Sequence, residues 1–126
     1  MSDGDRKATQ HEMIMARMGA EREFNETTLP RIRKQGREAL FALLPVAQSD
    51  TGQSGVVAKF LLGIYNGTRF PFNLSELRRL DRSLFNQCIQ VLAMDFQPER
   101  EIHECVNEGG RFFEELADTW CPSNRR

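Results

Sequence analysis

Apolar residues recur every three or four positions along most of this 126-residue chain, which is the spacing of one face of an α-helix. No stretch of convincing length alternates apolar and polar residues, as a half-buried β-strand would. Apolar residues make up 40% of the chain and charged residues 28%, which is enough apolar surface for one hydrophobic core. The pattern predicts an all-α fold, a single compact bundle of about four or five helices.

The apolar pattern does not begin at the first residue. Residues 1–26 are mostly polar, and their large apolar residues are concentrated at Met13, Ile14, Met15 and Met18. They are interpreted as a mobile N-terminal tail with room for a short helix around the methionines. The helical domain is expected to span residues 27–121, and residues 122–126 to form a polar C-terminal tail.

The first clear helix follows Thr28, a residue type that caps helix N-termini. Pro30 falls in the first turn, where its missing N–H removes no hydrogen bond. The apolar stripe consists of residues three or four apart: Ile32, Gly36, Leu40, Leu43 and Leu44. Pro45 is expected to end or kink this helix near Leu44, because proline lacks the N–H donor and clashes with the preceding turn.

The sequence SDTGQSGVVAKFLLGIYNGTRFPF, residues 49–72, most resembles a catalytic motif. A phosphate-binding P-loop separates its two glycines by four residues, but Gly52 and Gly55 are too close together. A nucleophile elbow needs Gly-x-Ser-x-Gly on a strand-to-helix turn, and no strand precedes Ser54. The stretch is therefore interpreted as the start and the stop of a helix.

This helix is expected to begin at a cap formed by Asp50, Thr51 or Ser54, whose oxygens can accept hydrogen bonds from exposed N–H groups. Its buried stripe is expected to hold Val56 or Val57, Phe60, Leu61 and Ile64. Asn66-Gly67 is expected to end it, with Gly67 in the left-handed conformation that glycine tolerates.

Two phenylalanines flank Pro71 after this helix. Proline restricts Phe70 to an extended backbone, so Phe70 and Phe72 are expected to point in roughly opposite directions. One ring is expected to pack into the core. The other is a candidate anchor for a protein partner if it lies at the surface, although core packing is the more common outcome.

Two further segments complete the helical pattern. Asp81 is expected to cap a helix with the buried stripe Leu84, Phe85, Cys88, Ile89 and Leu92. After Pro98, apolar residues alternate four and three apart: Ile102, Val106, Gly109, Phe113, Leu116 and Trp120. We expect one long helix weakened at Gly109-Gly110, with two helices as the alternative. The same stripe could bury against a second copy, so a homo-oligomer is a further alternative.

The sequence contains no residues with catalytic or metal-binding spacing. His103 and Cys105 lie about 200° apart around a helix, whereas helical ligands converge at spacings of three or four. Three cysteines without Cys-x-x-Cys spacing argue against a disulfide framework and for a reducing cytoplasm. No apolar run approaches the ~20 residues that span a bilayer. We therefore predict no catalytic residue, cofactor, metal or membrane partner, and a protein that is not an enzyme.

Charge is unevenly distributed, although the net charge is only −1. The middle of the chain is basic and its end acidic, a pattern of partner-binding surfaces and also of solvated helix faces. Four arginines join the two phenylalanines as candidate partner-binding residues: Arg69, Arg78, Arg79 and Arg82. On a short-helix–turn–helix they could contact nucleic-acid phosphates, although a pI near 6.1 gives no basic surplus.

Four stretches are similar to a known family: LLPVAQSDTGQSGVVAKFLLGIYNGTRFPFNLSELRRLD, the pair Leu84-Phe85, the pair Met94-Asp95, and GGRFFEELADTW. With them, the chain from about Ala39 to Trp120 resembles an uncharacterised family of small bacterial proteins, found mainly on plasmids and integrated conjugative elements. The resemblance implies a bacterial cytoplasmic setting, an accessory role for a mobile element and no assigned catalytic residue. We expect a non-enzymatic protein that binds another protein; the alternative is a DNA-binding regulator using the Arg69–Arg82 region.

Overall fold

A computed structural model describes residues 3–122 of the protein. Within that range lie five α-helices: α1 (Asp3–Thr27), α2 (Leu29–Ala47), α3 (Gly52–Tyr65), α4 (Arg82–Phe96) and α5 (Gly109–Trp120). Two 3-10 helices separate the later ones, at Leu74–Arg79 and at Ile102–Cys105. No strand occurs in residues 3–122. The predicted all-α class and number of helices are confirmed.

Contacts divide the chain into two units, Met1–Ile32 and Arg33–Arg126. In the first unit, α1 extends through a segment for which only a short helix was expected. Glu, Arg, Ala and Met are frequent along it, and all are strong helix formers. Its side chains from Thr9 to Thr27 are exposed, so propensity rather than burial favours this helix.

The predicted domain boundaries after residues 26 and 121 stay predictions, as does the mobility of the N-terminal tail. Most of the predicted C-terminal tail, residues 123–126, lies outside the described residues.

In the second unit, α3 is the helix around which the others pack. It contacts α4, α5 and both 3-10 helices. Its buried residues include Val56, Val57, Ala58, Phe60, Leu61 and Leu62. They meet side chains from the neighbouring helices: Leu40 and Leu43 of α2, Cys88 and Val91 of α4, and Phe113 and Leu116 of α5. Burial on most sides explains why α3 is apolar nearly throughout.

The start of α3 confirms the interpretation of the Asp50–Gly55 stretch. Thr51 is the N-cap: its hydroxyl accepts a hydrogen bond from the Ser54 N–H at 3.1 Å. The hydroxyl of Ser54 accepts one from the Thr51 N–H at 3.2 Å. This reciprocal pair is a capping box, so the serine has a structural role at the helix start.

The predicted end of α3 is correct in position, but the predicted backbone conformation of Gly67 is wrong. Asn66 is the C-cap, and its N–H donates to the carbonyl of Leu62. The chain leaves the helix at Asn66, which has a φ of −156°, and the Asn66 side chain accepts a hydrogen bond from the Arg69 N–H. No glycine among the described residues has a positive φ, so Gly67 is not left-handed.

α2 continues through Pro45 to Ala47, so Pro45 does not end the helix near Leu44, and the alternative of a kink there stays a prediction. Pro45 lies in the last turn, where it removes a single intrahelical hydrogen bond, to the carbonyl of Phe41. Both Phe41 and Pro45 are exposed, so water can satisfy that carbonyl.

In the last segment the preferred single long helix is wrong, and the alternative of two helices is confirmed. A 3-10 helix covers Ile102–Cys105, with a capping box between Glu101 and Glu104, and α5 begins separately at Gly109. Between them, Glu108 is left-handed, with a φ of 53°. The apolar spacing continues across the break because Ile102 of the first helix and Phe113 and Leu116 of the second are all buried in the core.

Candidate functional site

The outer face of α4 is apolar and exposed. Four residues spaced four, three and four apart form one stripe along it: Phe85, Ile89, Leu92 and Phe96. At about 100° per residue they fall within an arc of about 60°. Phe96 is 84% exposed, Leu92 43% and Ile89 40%, while Phe85 is half-buried. Single exposed apolar residues are ordinary on a protein surface, whereas a continuous stripe of this kind is a candidate interaction surface.

The inner face of α4 is a different stripe, with Cys88, Val91 and Met94 buried against the core. The sequence predicted Ile89 and Leu92 as core residues, and the structure places both at the surface. The buried face is therefore rotated around the helix from the predicted one. Of the predicted stripe, Cys88 is buried in the core and Leu84 is partly buried against it.

Charged side chains are absent from the middle of α4. Between Arg82 and Asp95 the sequence holds no ionisable residue except the buried Cys88. The exposed residues beside the apolar stripe are neutral: Ser83, Asn86, Gln90 and Ala93. Depletion of charge together with enrichment in aromatic residues is typical of the centre of a protein–protein interface.

A groove of about 460 Å³ adjoins the N-terminal end of this stripe. Its walls come from the first 3-10 helix and from α4: Leu74, Leu77, Arg78, Leu80, Arg82 and Phe85. Leu74 is 71% exposed. The stripe and the groove therefore form one continuous apolar surface with two arginines at one end, here called the α4 surface.

Asp81 fixes the position of this groove relative to α3. One of its carboxylate oxygens accepts from the Leu84 N–H at 2.8 Å, so Asp81 caps α4 as predicted. Its own N–H donates to the Gln53 side-chain oxygen at 2.6 Å. The start of α4 is therefore attached to the first turn of α3, and the 3-10 helix is held beside it.

Arg69, a predicted partner-binding residue, is instead bound to α5. Its Nη1 and Nη2 atoms donate to the two carboxylate oxygens of Glu114, at 2.7 and 3.0 Å. The Tyr65 hydroxyl donates to the same carboxylate at 2.6 Å. The pKa of Tyr65 is raised, chiefly because Glu114 accepts this hydrogen bond, with burial and the negative charge of Glu114 adding to it. This cluster joins the loop after α3 to α5.

The two candidate phenylalanines are separated by burial. Phe70 is buried in the core, so its ring is not accessible to a partner. Phe72 is half-buried, and its ring meets the edge of Phe60 with the centroids 5.6 Å apart. One ring packs into the core as expected, but the other also rests largely on the protein itself.

Of the remaining three arginines, one forms an ion pair within the described part of the chain and two do not. Arg79 forms an ion pair with Glu76 at 2.8 Å on the first 3-10 helix. Arg78 and Arg82 are exposed at the groove, and neither forms an ion pair with another described residue. Of the six predicted site residues, these two therefore belong to the α4 surface.

The three cysteines have raised thiol pKa values, and His103 packs against an aromatic ring. Burial raises the pKa of Cys88 to about 12, and burial is also the main cause of the raised pKa values of Cys105 and Cys121. A raised pKa disfavours the reactive thiolate. The ring of His103 packs edge-on against Tyr65, 5.6 Å away. Among the described residues, no three His, Cys, Asp or Glu side chains are grouped as metal ligands.

In the part of the chain that the structure describes, every helix is too short or too polar to cross a membrane. No curated protein and no solved structure gives a significant match to the chain. The model of a family of unknown function, DUF7673, matches residues 37–121. This range includes α3, α4, α5 and both 3-10 helices, and hence the whole α4 surface. Because the match covers well over half of the chain, the protein belongs to this family of unknown function.

Proposed function

We propose that this protein is a non-enzymatic interaction module that binds protein through the α4 surface. The observation that carries the proposal is the exposed stripe of Phe85, Ile89, Leu92 and Phe96. It lies on a helix whose middle turns contain no charged residue. Full burial of one large apolar side chain stabilises a complex by about 1.5–3 kcal/mol. Because the Phe96 side chain is 84% exposed, its burial by a partner would supply most of that free energy.

The proposed setting is the bacterial cytoplasm, and the proposed role is accessory to a plasmid or an integrated conjugative element. The support for both is the sequence resemblance described above, together with cysteines that form no disulfide in the structure. An accessory role suits a domain that presents an exposed apolar surface.

A DNA-binding regulator is the second candidate, favoured by the exposure of Arg78 and Arg82. It has less support because Arg69 and Arg79 are engaged with carboxylates. Two arginines beside an apolar groove provide few phosphate contacts, whereas DNA affinity generally rests on several.

Photo-crosslinking in cells tests the interaction function directly. A photoreactive phenylalanine analogue replaces Phe96, and the same analogue at Phe41 is the matched control. Phe41 is also an exposed phenylalanine, at 53%, but it lies on α2. We expect protein adducts from position 96 and few from position 41. Equal or no adducts at the two positions would contradict the proposal, and adducts to DNA would favour the second candidate.

A further inference from the structure

The apolar stripe on α4 has the same pattern in both chain directions. Its spacing is four, three and four, with Phe85 and Phe96 at the ends and Ile89 and Leu92 in the centre. A two-fold axis requires that residue i of one copy contacts residue j of the other, and the reverse. If two copies of α4 pack antiparallel with the axis between positions 90 and 91, Phe85 lies opposite Phe96 and Ile89 opposite Leu92. The stripe is therefore self-complementary.

From this symmetry we infer that the partner of the α4 surface is a second copy of this chain, packed with its α4 antiparallel to the first. The inference rests on the proposed interaction function and names the partner of that same site. It assigns the dimer contact to α4, whereas the sequence had suggested the stripe on the last helix. That stripe is taken up by the core, where Phe113 and Leu116 are buried.

In this arrangement Phe96 of one copy is the projecting side chain, and the groove beside Phe85 of the other copy is the pocket that receives it. Among the residues that the structure describes, Phe96 is the most exposed large apolar residue, and it lies at one end of α4. The groove lies at the other end, between the first 3-10 helix and Phe85. Since the second copy's Phe96 lies opposite Phe85, its ring enters this groove. The two-fold axis repeats the contact, so each copy supplies one ring and one groove.

The charges at the ends of α4 are also complementary in the antiparallel arrangement. Arg78 and Arg82 line the groove and face the carboxyl end of the second copy's α4. The last carbonyl groups of a helix carry partial negative charge, and a cation near them is stabilising. A guanidinium beside the ring of Phe96 adds a cation–π contact. A parallel pair would instead bring the arginines of both copies together.

The available area suits a weak, reversible dimer. A standard interface buries about 800 Å² on each partner, and a phenylalanine contributes about 150–250 Å². From their exposures, the side chains of Phe96, Leu74, Leu92 and Ile89 supply roughly half of that area. The neutral residues beside the stripe add to it. We expect a dissociation constant in the micromolar range.

Sedimentation equilibrium on the full chain, over a wide concentration range, tests this inference. We expect a monomer–dimer equilibrium that Phe96→Ser weakens at least tenfold and that the matched control Phe41→Ser leaves unchanged. Thermal unfolding at high dilution checks that both variants fold. A wild-type protein that stays monomeric at every concentration overturns the inference, as does an equal effect of the two substitutions.

The orientation is tested by isotope-filtered NMR on a mixed labelled and unlabelled sample. The antiparallel dimer predicts intermolecular contacts between the rings of Phe85 and Phe96. Contacts of each ring with its own equivalent would show parallel packing and refute the arrangement. A monomer that still crosslinks other proteins at Phe96 would refute the second copy as partner and leave the proposed function standing. A monomer without crosslinks would refute both.

Discussion

The carbonyl group of His103 occupies the space in which a Cβ atom of residue 109 would lie, because the backbone of Gly109 packs directly against it. Gly109 is the first residue of α5 and is buried. This close approach joins the second 3-10 helix to α5, so the turn between them depends on a residue without a side chain.

Replacement of Gly109 is expected to be strongly destabilising. In Gly109→Ala the added methyl group overlaps main-chain atoms, which cannot move as a flexible side chain can. We expect a loss of about 3 kcal/mol or more in the free energy of unfolding, measured by urea denaturation. The adjacent glycine is the control, because a Cβ at Gly110 meets no atom within 4 Å. Gly110→Ala should be neutral or stabilise by up to about 1 kcal/mol, and equal stabilities of the two variants would contradict this account.

The Thr51–Ser54 capping box gives a second prediction, about the stretch that most resembled a catalytic motif. Ser54→Ala removes one member of the box and should cost about 1 kcal/mol. Phe60→Ala, in the same helix, removes a buried ring and should cost about 3–5 kcal/mol. Thermal unfolding compares the two, and α4-dependent binding should survive in Ser54→Ala. If Ser54→Ala left stability unchanged and abolished function, Ser54 would have a chemical role in the function rather than a structural role as a cap.

The contact between Glu114 and Tyr65 gives a third prediction, and the chain has a single tyrosine in which to observe it. In the folded protein the pKa of Tyr65 is raised above its ordinary 10.0, chiefly by Glu114. The neutral phenol is therefore favoured by folding. The associated stability is fully present below about pH 10 and is lost as the pH rises through the folded pKa.

Glu114→Gln should accordingly move the tyrosinate titration to lower pH, as measured by near-ultraviolet absorbance. Glu115→Gln is the matched control, because Glu115 pairs with Arg111 on the exposed side of α5. That variant should titrate as the wild type does. An unchanged titration in Glu114→Gln would show that this carboxylate does not control the phenol.

The features that the sequence predicted correctly are local. Thr51 and Asp81 are recognisable as caps because a cap acts within three residues of itself. Gly109-Gly110 indicated a possible break, but the left-handed turn at Glu108 was not recognisable, because the apolar spacing continues across it and Glu is not a usual left-handed residue. What fixes that turn is the contact with His103, which a residue-spacing argument does not contain.

The candidate site depends on contacts between distant parts of the chain. Nothing in the sequence around Arg69 indicates that Glu114, on another helix, binds it. On α4 the sequence holds two overlapping apolar stripes, and packing against α3 decides which one is buried. The sequence itself indicates an exposed stripe. Phe85, Ile89, Leu92 and Phe96, taken together with the buried Cys88 and Val91, occupy a wider arc of the helix than one buried face covers.

A final prediction tests which face of α4 is exposed. Cys88 is fully buried, with a pKa of about 12, so it should resist alkylation by iodoacetamide in the native protein at neutral pH. The thiol introduced by Ile89→Cys, on the outer face, should react much faster when the protein is highly diluted and the proposed dimer is dissociated. Peptide mass spectrometry gives both rates in the same sample, and the two thiols should react alike in denaturant. Native Cys88 reacting as fast as the introduced thiol would mean that α4 is rotated, and the proposed α4 surface would lose its basis.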